Sequence, residues 1–236
     1  MNSFTLPSDY PRIKRVTSFQ ELVSTRFADG VNALCWERIL PGDFSEVVRL
    51  LGVSEEVTPI EDARLLALRA SGAGRVAIEA MLEDLRLLRA HGVAPALNCF
   101  MGYPRDENHE VIPTDVYSFH ADSAPVEADT FLCTYHGVPS EGLRNEEAQR
   151  RVSHPETRAE LLKLYGGEDD QGFREFLREN CYDLHYAAVA QARTFSFGLG
   201  NLWRIAVDYP DSPVPPCIHR APENRNGQPP RLLLIS

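Results

Sequence analysis

The chain has almost no lysine. Of its 24 basic residues only Lys14 and Lys163 are not arginine, and the formal charge is −10 at neutral pH. A surface this acidic repels polyanions, which excludes non-specific attraction to nucleic acid or to an anionic membrane. No apolar run approaches the length of a bilayer span. The first residues, Met1-Asn-Ser-Phe-Thr-Leu-Pro-Ser-Asp-Tyr10, lack a basic stretch followed by an apolar one, so the sequence predicts a cytoplasmic protein. Cysteine is sparse and unpaired in pattern. Cys35, Cys99, Cys133, Cys181 and Cys217 are odd in number and scattered, which fits neither a disulfide framework nor a zinc site built on close cysteine pairs. Repeats and low-complexity tracts are also missing.

What remains is ordinary globular composition, 43% hydrophobic and 25% charged over 236 residues, enough for one core. The pattern predicts a single domain over 1–236, with a support region of helix and strand over about 1–95 and a β-rich core over about 96–236. Ser18-Phe-Gln-Glu21 has the form of a capping box, followed by apolar Phe19, Leu22, Val23 and Phe27 at helical spacing. Asn32 to Leu40 reads as a strand, and Pro41-Gly42 turns it into a helix from about Phe44 to Leu51. Glu61 to His91, rich in Leu, Ala and Arg, reads as one or two helices broken near Ser71-Gly-Ala-Gly74 and stopped by Gly92. Val93 to Tyr103, Asp129 to Tyr135, Leu184 to Gln191 and Leu202 to Val207 read as strands. Between them, about 140–180 reads as a helical insertion, including Asn145 to Arg151 and Thr157 to Tyr165. Mainly β with helices concentrated in front and inserted once describes an α+β chain, and predicts a double-stranded β-helix, the jelly roll of cupin-like proteins.

The chemistry-bearing pattern is His120-Ala-Asp122, followed far down the chain by His219 and then Arg231. Residues two apart on a strand leave the same face, so His120 and Asp122 can meet one metal. Two imidazoles and one carboxylate hold Fe(II) on one face and leave the other open. The same three ligands also suit zinc. Arg231 opens a strand that is otherwise apolar, Leu232 to Ile235, and a guanidinium there needs an anion, which predicts a carboxylate-binding role. Pro213-Val-Pro-Pro216 fixes an extended approach to His219. Cys217 shares the face of His219, and Arg220 faces the other way, toward a structural salt bridge. Trp203 and Asn224 read as packing and turn residues. His109 with Glu110, His136, His154 and His185 lack spaced partners and read as exposed or core residues.

These stretches carry a resemblance. Tyr117 to the C-terminus resembles the 2-oxoglutarate and Fe(II)-dependent dioxygenases, nearest the group around phytanoyl-CoA dioxygenase. It also resembles an uncharacterised bacterial domain family at Phe119-His120-Ala-Asp122, Cys133-Thr-Tyr135-His-Gly137 and His219-Arg220-Ala-Pro222. The resemblance implies the jelly-roll topology, with His120, Asp122 and His219 as iron ligands and catalytic centre and Arg231 gripping the far carboxylate of 2-oxoglutarate. Tyr117, Thr134 and Tyr135 are placed to offer hydroxyls to that cosubstrate. The other partners it implies are dioxygen and a small-molecule substrate, with succinate and carbon dioxide released. Two alternatives stay open, a jelly-roll binding or regulatory protein without turnover and a zinc-dependent enzyme on the same ligands.

Overall fold

The computed structural model describes residues 5–52, 57, 59–105, 111–223 and 227–236. His109, Glu110 and Asn224, read above as non-site residues, lie outside them. Among the described residues the chain is α+β: two six-stranded sheets, antiparallel apart from one pair, with helices packed outside. Among the described residues no helix is long and apolar enough to cross a membrane.

The first sheet takes strands from both ends of the sequence. Its order is β1 (Ile13–Val16), β2 (Ala33–Trp36), β10 (Leu202–Ala206), β5 (Asp129–His136), β12 (Arg231–Ile235) and β3 (Ala96–Phe100), with β1 and β2 parallel. The N-terminal region is therefore more than a support. Its β1 and β2 extend the sheet that the C-terminal strands build.

Alternation divides this sheet's residues between two environments. Leu34, Leu97, Cys99, Phe131, Cys133, Tyr135, Leu202, Leu232 and Leu234 face the helices. Against them lie α2 (Phe44–Leu51) and α4 (Gly72–Ala90), whose Ala77, Ile78, Met81, Leu85 and Leu88 recur at helical spacing and are buried. Each large side chain buried this way contributes about 1.5–3 kcal/mol. Gly42 permits the close approach of the two helices, because it holds φ +111° and a Cβ there would meet the backbone of Ala77.

Helix starts follow the sequence well. Ser18 caps α1 (Phe19–Ser24) by accepting from the Glu21 amide at 3.1 Å, and Asp43 caps α2 by accepting from Glu46 at 3.0 Å. The break expected near 71–74 falls earlier. A short helix, α3 (Asp62–Leu66), ends before Ser71, which caps α4, so Gly72 and Gly74 sit inside the first turn of α4.

The second sheet has the order β7 (Ala148–Arg150), β8 (His185–Ala188), β4 (Phe119–His120), β11 (Ile218–Arg220), β6 (Glu141–Leu143) and β9 (Thr194–Ser196). Here the helical reading of 140–180 is corrected. The segment opens with strands β6 and β7, because pairing with β11 and β8 outweighs the helix-forming composition of Asn145 to Arg151. Only α5 (Pro155–Tyr165) and α6 (Gln171–Glu179) are α-helical there, and they bury Leu161, Phe173 and Leu177 in a small core with Ile112 and Val152. Between the two sheets lie Ala33, Cys35, Leu132, Phe195, Phe197, Trp203, Ile205 and Cys217.

Candidate metal centre

Register across the second sheet assembles the site. His185 on β8 lies opposite His120 on β4, His120 opposite His219 on β11, His219 opposite Gly142 on β6, and Gly142 opposite Phe195 on β9. Directly paired residues share a face, so these five form one row. The rings of His120 and His219 stand 4.6 Å apart, and those of His120 and His185 5.7 Å. Gly142 has a reason to be glycine. A Cβ there would strike the ring of Phe195, which turns over it into the aromatic layer of Phe197 and Trp203. Phe197 in turn packs 6.3 Å from the His219 ring.

Asp122 completes the cluster just beyond β4. One carboxylate oxygen lies 3.8 Å from His120 Nε2 and the other 3.8 Å from His219 Nε2, and the three ligating atoms all fall within 4.8 Å of one another. Three neighbours orient them. His120 Nδ1 lies 2.8 Å from the Ser118 carbonyl and His219 Nδ1 3.3 Å from the Cys217 carbonyl, contacts that a protonated Nδ1 makes as donor. Each Nε2 then turns a lone pair to the centre. Thr130 Oγ1 donates to Asp122 at 2.6 Å.

Protonation suits a cation. Burial, then the neighbouring His219, pushes the His120 pKa down to about 4, so its imidazole is neutral at pH 7. Burial alone would raise the Asp122 pKa. His219, the Thr130 hydroxyl and His120 outweigh it and hold the carboxyl below its usual value. Two imidazole nitrogens and an anionic carboxylate, converging on one point, are a donor set for a divalent metal.

Arg231 enters the same interior from the first sheet. It is 4% exposed, and Nη2 donates to Ser140 Oγ at 3.1 Å while Nε has no hydrogen-bond partner. Among the described residues no carboxylate lies within ion-pair distance of it. Burial lowers its pKa, and Tyr103 and Tyr117 only partly oppose that. Space for it is kept by Gly137, at φ +89°, where a Cβ would meet Pro230 O at 2.7 Å and Arg231 Cα at 3.0 Å. Thr134, whose strand face also carries Thr130 and Leu132, is buried with an unpartnered hydroxyl. Unmet donors of this kind cost free energy unless a ligand satisfies them.

Other expected residues fall in different places. Tyr135 is corrected: it points to the helix side, donating to Asp84 at 2.7 Å and stacking on Phe44, because its neighbour Thr134 takes the interior face. The Tyr117 hydroxyl is committed to the Tyr103 carbonyl at 2.8 Å, so its ring, not its proton, is what it offers the site. Cys217 is buried beside Asp122, where burial and that carboxylate raise its pKa. Arg220 faces outward and pairs with Glu141 at 2.7 Å. His136 bonds the Pro230 carbonyl, His154 is exposed, and Trp203 is packed with its indole N–H on Phe197 O.

Two residues escaped the sequence. His185 is buried in the row beside His120, a position visible only through the β8 register. Tyr103 packs edge-on against Phe100 and Tyr117, and burial, with Tyr117 and Asp122 adding to it and Arg231 opposing it, raises its pKa. Comparison with protein-family models, with curated proteins and with solved structures gives no match for the chain.

Proposed function

We propose that the chain is an Fe(II)- and 2-oxoglutarate-dependent oxygenase acting on a small molecule, with its two facing sheets forming a double-stranded β-helix. The observation that carries the reading is the pairing, in one interior, of an open two-His, one-Asp cluster with a buried guanidinium that has no carboxylate partner. A carboxylate-bearing cosubstrate beside a metal answers both needs. Iron with 2-oxoglutarate supplies the oxidising power: dioxygen is consumed, the keto acid leaves as succinate and carbon dioxide, and one oxygen enters a C–H bond of the substrate.

The chain's own residues do the rest. His120 and His219 turn their Nε2 atoms to the centre because their Nδ1 atoms are engaged by Ser118 O and Cys217 O. Asp122 supplies the anionic ligand, oriented by Thr130. Arg231, steadied by Ser140, would hold the distal carboxylate of the cosubstrate, and the Thr134 hydroxyl would add a donor. Phe197, Trp203 and Phe100 form apolar walls that keep water out and strengthen those interactions. A zinc enzyme would use the same three ligands, and Arg231 would then need another anion as its partner.

The test is succinate formation by the purified protein with Fe(II), 2-oxoglutarate and oxygen over a panel of small-molecule substrates. Turnover in the parent and none in Asp122→Ala is the expected result. Iron-loaded, folded protein that binds 2-oxoglutarate and never yields succinate would make it a binding protein, and turnover supported by zinc without 2-oxoglutarate would make it a zinc enzyme.

A further inference from the structure

The opposite face of β4 and β11 carries a second cavity, of about 210 Å³, that the metal centre does not use. Phe119 and Arg220 border it, and alternation points both away from His120 and His219. At roughly 30 Å³ per water it has room for on the order of seven waters.

Its walls hold donors that nothing satisfies. Arg151 lines it, its Nε is buried without a hydrogen-bond partner, and no ion pair of Arg151 occurs among the described residues. Ser118 also lines it, 8% exposed, with an unpartnered hydroxyl. Arg220 gives Nε and one Nη to Glu141 at 2.9 and 2.7 Å and lies over the Phe119 ring at 4.5 Å, with no hydrogen bond from its other amino group among the described residues. Arg105 lies over the Tyr117 ring at 4.6 Å. A guanidinium has only donors, so its free N–H groups call for an acceptor. Two carboxylates share the cavity. Asp115 Oδ1 is occupied by the amides of Tyr117 and Ser118 at 3.1 and 3.2 Å, and Glu223 makes no ion pair with Arg151.

We propose that this cavity binds a small oxyanion, a phosphate or sulfate group, held by the Arg151 guanidinium and the Ser118 hydroxyl with Arg220 and Arg105 at its rim. Guanidinium forks match tetrahedral oxyanions, and a partly buried setting strengthens the bond. The site shares Ser118 with the metal centre, whose His120 bonds the Ser118 carbonyl, but it stands whether or not the oxygenase reading does.

Calorimetric titration of the full chain with inorganic phosphate tests it, at fixed ionic strength and with chelator present so that no metal takes up the anion. One saturable site per chain is expected, with affinity falling at least tenfold in Arg151→Gln and about threefold in Ser118→Ala. Phenyl phosphate is titrated alongside. Tighter binding of the ester marks the site as a pocket for the phosphate group of a larger molecule, tighter binding of the free ion marks an inorganic-anion site, and both must depend on Arg151. Should Arg151→Gln fail to fold, Arg151→Lys keeps the charge without the fork and is expected to lose at least threefold. Absence of saturable binding in the parent, or parental affinity in a folded Arg151 variant, overturns the proposal.

Discussion

Replacing Arg231 with methionine should stabilise the metal-free protein while removing its capacity for 2-oxoglutarate. The side chain is 4% exposed, its Nε is unpartnered and its one side-chain bond is to Ser140. Desolvating an ion costs several kcal/mol even after relaxation, and the single bond from the guanidinium to Ser140 returns only about 1.5–3 kcal/mol. Methionine has nearly the same reach and no charge, so the apo protein should gain about 1–4 kcal/mol. For a chain of this size each kcal/mol moves the melting temperature by about 2–4 °C, and scanning calorimetry of chelator-treated protein should show a rise of at least about 2 °C. The same substitution removes the partner of a buried carboxylate, a loss of about 2–5 kcal/mol, or roughly thirtyfold to several-thousandfold in affinity. Anaerobic calorimetric titration with 2-oxoglutarate on the iron-loaded protein reads that loss. A variant that melts several degrees below the parent would show that Arg231 is satisfied within the fold, and unchanged 2-oxoglutarate affinity would refute its role.

Three further outcomes follow from neighbouring features. Asp84→Ala should cost about 3–5 kcal/mol in urea unfolding, since Asp84 takes both arms of the buried Arg38 at 2.6 and 2.8 Å and the Tyr135 hydroxyl, and its loss strands that guanidinium. Gly142→Ala should cost about 1–3 kcal/mol by displacing Phe195, and the shift beside His219 should weaken metal binding relative to the parent, measured by equilibrium dialysis. Alkylation of the native protein should label Cys181 alone among the five cysteines, because the other four are buried and burial raises the thiol pKa of Cys35, Cys99, Cys133 and Cys217. Mass spectrometry finding a second rapid adduct would contradict that packing.

The grouping of His120 with Asp122 was legible from their spacing of two, although Asp122 lies just beyond β4, and Arg231 stood out as one charge on an apolar strand. His219 joins them only through the pairing of β11 with β4. Tyr135 and Thr134 show where such reading stops. Adjacent residues of one strand cannot both face the interior, and the choice is made by Asp84 on α4, a partner far off in sequence. His185 joined the row through strand pairing, and Tyr103 through the position of the loop after β3, neither of which leaves a periodic trace. The strands β6 and β7 were misread as helix for a related reason. At three residues each they are too short to show alternation, and their composition favours helix until β8 and β11 pair with them.

The central claim is that one interior holds iron on His120, Asp122 and His219 and 2-oxoglutarate on Arg231. Anaerobic titration of the apo protein with Fe(II) and 2-oxoglutarate, followed by visible absorbance, tests it most directly through the charge-transfer band of a metal chelated by a keto acid. A band that saturates at one iron per chain, vanishes in Asp122→Ala and His219→Ala and needs far more 2-oxoglutarate in Arg231→Met is the predicted result; a folded parent that shows no band, or ligand variants that keep it, would contradict the account.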